Sequence, residues 1–251
     1  MSHSAEGRTW LALRQFTQAR VGLGRAGDSL PTRAVLDFGL AHAQARDAVH
    51  MTLDLDALGA QLEQAGFESV NVHSAVSDRW QYLRRPDMGR QLSDSSRSAF
   101  GARLRPDSGQ LVFVLADGLS APAVMRHAVP TLAALSARLG AHRIAPIVVA
   151  EQARVALGDE IGEIWQAEQV VVLIGERPGL SAADSLGAYL TYAPRVGRTD
   201  AERNCVSNIR REGLSYEQAA HRLAHLLDEA GRRRLSGVAL KDDSALPRLA
   251  P

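Results

Sequence analysis

Glu176 and Arg177 stand directly after a bare apolar run, Val170-Val171-Val172-Leu173-Ile174, and are followed by Pro178-Gly179-Leu180. A short apolar run bounded by Gly and Pro predicts a strand buried on both faces. The loop leaving that strand sets a carboxylate and a guanidinium at its carboxyl end, where open α/β sheets bind ligands. Such a pair can accept and donate hydrogen bonds to a polar ligand. The spacing alone leaves open a surface loop with an ion pair worth little. Asp117 follows a second apolar run, Leu111 to Ala116, in Asp117-Gly118-Leu119-Ser120. It belongs on the same sheet edge, either as part of a turn with Ser120 capping the next helix or as a second ligand-facing carboxylate.

Five arginines, Arg195, Arg198, Arg203, Arg210 and Arg211, lie close to the lone Cys205. Clustered Arg with Asn and Ser suits phosphate or amide recognition. Thr199 is expected to cap a short helix carrying Arg203 and Cys205. Cys205 is either an inert thiol or a nucleophile, and a nucleophile needs His and Asn or Asp partners that spacing cannot place. His221 and His225 share one helix face but lack a third metal ligand. The run Val21-Gly22-Leu23-Gly24-Arg25-Ala26-Gly27 superficially matches a dinucleotide fingerprint. A helix rather than a strand precedes it, so a helix–helix connection is the expected reading. Neither a Gly-x-Ser-x-Gly elbow nor a phosphate-loop motif occurs. With no self-contained catalytic apparatus, the chain reads as a binding subunit.

The elements that must position these residues change character along the chain. Residues 1–100 read as a helical N-terminal region. Helices are predicted from Trp10 to Ala19, after Ser29-Leu30-Pro31 to about Met51 with Ser29 as cap, and from Leu55 to Ala65 with a stop at Gly66. Residues 84–107 read as a linker with one short helix. From 101 to 251, strands and helices alternate: strand 111–116, helix 122–139, strand 144–149, helix 152–166, strand 170–174, helix 215–234, with 237–241 as one more short strand. That alternation predicts an α/β fold with a Rossmann-like parallel sheet. The 251 residues suffice for one large or two modest domains, and the 45% hydrophobic content is ordinary for a globular protein. The net charge of +1 gives no push toward nucleic acid or an anionic membrane. A single cysteine permits no internal disulfide and suits a reducing cytoplasm. No stretch approaches the roughly 20 apolar residues of a membrane helix, and the polar first residues do not read as a secretory signal.

Several blocks together resemble the small (light) subunit of ethanolamine ammonia-lyase: Gly175-Glu176-Arg177-Pro178-Gly179-Leu180, Asp184 to Gly197, Arg203-Asn204-Cys205-Val206-Ser207-Asn208-Ile209-Arg210, Gly213-Leu214-Ser215-Tyr216 and Leu235 to Asp242. The N-terminal Thr17 to Gly27, followed by Leu30-Pro31-Thr32, fits the same family. The resemblance covers nearly the whole chain. It implies a hetero-oligomeric lyase that uses adenosylcobalamin to turn ethanolamine into acetaldehyde and ammonia by radical chemistry. A large barrel subunit holds the substrate, and the cofactor lies between the two chains.

By the resemblance, Val155, Glu176 and Cys205 are cobalamin-contacting positions, and 101–251 is the cobalamin-binding domain. No catalytic residue is expected on this chain. An Asp-x-His-x-x-Gly pattern is absent, so the cofactor is expected to keep its own base on cobalt. The location implied is cytoplasmic, with packaging in a bacterial microcompartment known for family members that carry a longer N-terminal extension. A chain built to cover a cofactor between subunits should expose an apolar patch. The other readings are a stand-alone corrinoid- or nucleotide-binding module and a nucleic-acid-binding protein using the Arg-rich segment.

Overall fold

The structure, a computed structural model, describes residues 10, 12–17, 19–102, 110–140 and 144–244. Its strands are Ser69–His73 (β1), Leu111–Ala116 (β2), Ile147–Glu151 (β3), Gln169–Gly175 (β4), Leu186–Tyr192 (β5) and Arg203–Ile209 (β6). Its helices are Thr32–His50 (α1), Leu55–Gln64 (α2), Arg79–Arg84 (α3), Asp94–Gly101 (α4), Ala121–Ser136 (α5), Leu157–Trp165 (α6) and Tyr216–Arg233 (α7). All six strands form one mixed sheet in the order β1-β3-β2-β4-β5-β6.

β2 and β4 are buried at every position, the pattern of central strands covered on both faces. Alternate side chains feed two cores. On one face Phe113, Leu115, Val171 and Leu173 meet α2, α5 and α7. On the other, Val112, Val114, Val170 and Val172 meet α4 and α6. Phe100 of α4 stacks on Trp165 of α6, with ring centroids 4.2 Å apart. α6 rides close on the sheet because Gly158 faces Val172 with no room for a Cβ.

The expected parallel sheet holds for β1, β3, β2 and β4. β5 and β6 are a correction: both run antiparallel, β5 against β4 and β6 against β5. The helix expected to carry Arg203 and Cys205 is therefore a strand. Thr199 does form a capping box, but on the short 3-10 turn Asp200–Glu202 that leads into β6. The expected helix from Gln152 starts instead at Leu157, since Gln152 adopts a left-handed φ of 53° and the residues after it turn.

β1 was not expected either. It lies within residues 1–100 and pairs in register with β3. Its signal is plain alternation in Ser69-Val70-Asn71-Val72-His73, with the two valines buried.

The N-terminal helix α1 has Pro31, not Ser29, at its cap, with no side-chain cap bond. Ser29 instead bridges back to Ala26, closing the glycine run into a turn. α1 buries only Ala41 and Ala48 and leaves Val35, Leu36, Phe38 and Leu40 in solvent, each 47% to 66% exposed. The helix predicted over Trp10 to Ala19 falls partly outside the described residues.

At the far edge, the expected strand at 237–241 is a 3-10 turn, Gly237–Ala239. The Asn204 side chain of β6 holds it: Oδ1 accepts from Gly237 N at 2.7 Å, and Nδ2 donates to Leu240 O at 2.9 Å.

Candidate functional site

Glu176 leaves β4 at its carboxyl end, as the sequence predicts. Its backbone N–H donates to Ser185 O at 2.9 Å. Its Oε2 accepts from the Ser185 hydroxyl at 2.5 Å and from Asn208 N at 3.3 Å. Asn208 can aim its amide there because β6 is irregular at this point and Asn208 sits at φ 60°, a conformation Asn tolerates. Oε1 accepts no hydrogen bond among the described residues. It lies beside Gly187, where a Cβ would stand 3.0 Å from Oε1 and 3.2 Å from the Tyr189 ring. A glycine at 187 therefore lets carboxylate and phenol approach each other.

Cys205 reaches the same place from β6. Tyr189 pairs with Val172 of β4 on one side and Cys205 of β6 on the other. Directly opposed residues in an antiparallel pair point to the same face, so all three share the face of the second core. The Tyr189 phenol and the Cys205 thiol are near enough to shift each other's pKa. α5 and α7 pack on the other face of β5 and β6. On this face Cys205 is exposed and Tyr189 half-buried.

Val155 comes from the loop between β3 and α6. It is half-buried against the same apolar cluster that Tyr189 packs on. A buried network holds its loop. Ala153 N donates to Asp117 Oδ1 at 3.0 Å, and the Tyr82 hydroxyl donates to Ala153 O at 3.0 Å. Arg154 N donates to Gly89 O, and its guanidinium lies 4.2 Å from the Tyr82 ring centroid.

Asp117 does lie beside the Glu176 loop, since Leu119 N donates to Gly175 O at 2.9 Å. Its carboxylate is occupied internally: it is buried and pairs with Arg79 at 3.0 Å. Burial raises its pKa to about 6, against the pull of Arg79 and of the backbone donors. Ser120 caps α5, as expected.

Three of the five clustered arginines are paired: Arg203 forks onto Asp159 of α6, Arg198 pairs with Glu202, and Arg210 is held by Asn208 and Glu212. His225 pairs with Asp243, and no group of three metal-ligating side chains occurs among the described residues. A cavity of about 480 Å³ between α1, α5 and the 179–184 loop contains none of Val155, Glu176 and Cys205. What those three offer is an open sheet face with an acceptor, a thiol, a phenol and apolar surface. That is equipment for holding a ligand.

The sequence model of the ethanolamine ammonia-lyase light chain (EutC) matches residues 7–241. The chain belongs to that family. An ethanolamine ammonia-lyase small subunit of Pseudomonas fluorescens (strain Pf0-1) is 57% identical over 244 residues, covering 96% of this chain and 89% of the relative. One from Xanthomonas campestris pv. campestris (strain B100) is 58% identical over 245 residues, covering 96% and 90%. A third, from Pseudomonas syringae pv. tomato, is 54% identical over 251 residues, covering 98% and 88%. The ethanolamine ammonia-lyase family makes this chain a lyase subunit, and the name small subunit implies a larger partner.

Within this light chain, Tyr189 is the neighbour that sequence reading missed. The signal lay in the alternation of 186–192, but its meeting with Cys205 depends on a pairing register that no local pattern carries. Partial desolvation raises the Cys205 thiol pKa, the nearby Tyr189 phenol lowers it, and the Glu176 carboxylate raises it. Cys205 therefore remains a protonated thiol at neutral pH. Alkylation of Cys205 by iodoacetamide, followed by mass spectrometry, is expected to be slow at pH 7 and to accelerate only above the ordinary thiol range. Glu176→Gln should move that profile to lower pH, because a negative neighbour is removed.

Proposed function

We propose that this chain is the small subunit of an adenosylcobalamin-dependent ethanolamine ammonia-lyase. In this reading Val155, Glu176 and Cys205 line its half of a cobalamin seat at the junction with a large subunit. The observation that carries the reading is the convergence of Glu176 and Cys205 on the uncovered face of β5 and β6. Cobalamin is broad and fringed with amides. It needs open, flat surface, apolar contact and well-placed acceptors. The sheet face supplies the first, Val155 the second, and Glu176 Oε1 the third. The arrangement fits the group.

The four parallel strands with helices on both faces support a Rossmann-like description of the core, with a mainly helical region before it. In that description, β3 and β4 present the Val155 and Glu176 loops at the sheet's carboxyl edge. When bound, adenosylcobalamin supplies the radical chemistry, by homolysis of its cobalt–carbon bond. This chain's residues bind and orient it. Glu176 Oε2 is already fixed by Ser185 and Asn208, so the carboxylate need not reorganise to offer Oε1 to an amide. Val155 excludes water from that side. The chain has no Asp-x-His-x-x-Gly pattern, which supports a cofactor bound with its own base on cobalt.

The exposed apolar side chains of α1 are the kind of surface a large subunit would cover. No helix among the described residues is long and apolar enough to cross a membrane. A cytoplasmic setting, free or within a microcompartment, is part of this proposal.

The test is co-expression with a large subunit of this lyase, with acetaldehyde formation and cobalamin affinity measured for wild type and Glu176→Ala. Loss of a hydrogen bond to a charged group costs about 1.5–3 kcal/mol, so binding is expected to weaken roughly 10- to 100-fold. A folded complex with intact cofactor binding and no lyase activity would instead favour a stand-alone corrinoid-binding module.

A further inference from the structure

Tyr189 has no assigned part in the seat, yet Glu176 and Cys205 both adjoin it. Val155 packs on the same apolar cluster. Glu176 and the Tyr189 ring both border the vacant side of Gly187, at 3.0 Å and 3.2 Å from where a Cβ would stand. Cys205 is its register partner on β6. The ring is half-buried: one side lies on the core beneath the sheet face and the remainder is open to solvent.

Burial together with the nearby Cys205 and Glu176 raises the phenol pKa, so it stays neutral and can donate. The ring is a flat apolar surface among residues that come from three separate segments. A planar, amide-fringed ligand resting on Val155 and Cys205 while bonded to Glu176 must cross it.

We propose that Tyr189 is a fourth cofactor contact, its ring forming the floor of the seat on this chain. This rests on the cobalamin reading of the site given above.

The experiment uses the assembled complex of this chain with its large subunit and cyanocobalamin as probe. Affinity is measured by equilibrium dialysis. Occupancy at this face is read independently, as protection of Cys205 from alkylation. Tyr189→Phe keeps the ring and loses the hydroxyl; Tyr189→Leu keeps apolar bulk and loses the flat surface. For wild type, cyanocobalamin should protect Cys205. Tyr189→Phe should bind within about threefold of wild type, and Tyr189→Leu should bind about tenfold more weakly, with less protection at equal probe concentration.

Complex formation by size-exclusion chromatography checks that each variant assembles. Phe serves as the conservative partner should Leu fail to do so: Phe binding about tenfold more weakly would overturn the assignment of the ring as the contact. Wild-type affinity and full protection in Tyr189→Leu would also overturn it. If cyanocobalamin binds the wild-type complex without protecting Cys205, the seat itself is misplaced, which separates failure of the parent reading from failure of this one.

Discussion

Arg203→Met will destabilise the chain by about 3–5 kcal/mol, a large share of the roughly 5–15 kcal/mol that holds a domain folded. The guanidinium is 2% exposed at its side chain and meets Asp159 through two parallel contacts of 2.6 Å. It also donates to Thr191 Oγ1 at 2.9 Å and to Arg198 O at 2.9 Å. Methionine fills similar space but leaves Asp159 buried and unpaired. Burial already raises the Asp159 pKa while Arg203 pulls it down, so in the variant Asp159 should take up a proton at higher pH than in wild type. The loss measured by urea unfolding should accordingly shrink as pH falls. Adding Asp159→Leu should recover most of it, because a buried ion pair often exchanges for apolar residues at little cost. A double variant as unstable as the single one would show that the damage lies in Arg203's backbone and hydroxyl contacts instead. The pair ties α6 to β6, so its loss should also loosen the two sides of the seat against each other.

Asp117→Ala is expected to cost a similar amount, again about 3–5 kcal/mol. It strands the Arg79 guanidinium, 8% exposed, and removes the acceptor of Ala153 N. Asp117→Asn keeps one acceptor oxygen and sets an NH2 against the other donor, so it should cost less than alanine, about 1–3 kcal/mol at pH 7. The same carboxyl has a distinct pH signature. Its folded pKa, about 6, lies above that of an unfolded aspartate. The folded state therefore binds the proton more tightly, and stability from this group is full below the unfolded value and declines as pH rises toward 6. Urea midpoints of wild type relative to Asp117→Asn should fall between about pH 4 and pH 6 and level off above. A difference flat across that window would show that Asp117 is ionised throughout. Since Asp117 and Tyr82 both hold Ala153, the alanine variant should also shift the loop bearing Val155.

What the sequence discloses follows how locally each feature is specified. β2 and β4 are continuous apolar runs, and α5 and α7 begin at Ser120 and Ser215, whose caps are written within three residues. Those elements are readable. β5 and β6 are not, because Arg203 is stabilised in a strand by an aspartate 44 positions away, and a charged residue with distant support reads as solvent-facing. The site divides in the same way. Glu176 follows from a strand-end rule. Cys205 joins it only through the register of β6 on β5, and Val155 only through the family resemblance, since what fixes its loop is a network running from Asp117 to Tyr82.

The Asn204 clamp also governs how this chain meets others of its kind. β6 is the last strand of the sheet, and an open last strand offers its amides and carbonyls as a template for a strand from another molecule. The bonds from Asn204 to Gly237 and Leu240 lay the C-terminal segment along part of that border. The clamp thus acts as a guard against edge-to-edge polymerisation, and it depends on one amide side chain rather than on an extra strand. A chain shortened before Gly237 would lose the guard while keeping Val155, Glu176 and Cys205, and is expected to self-associate edge to edge.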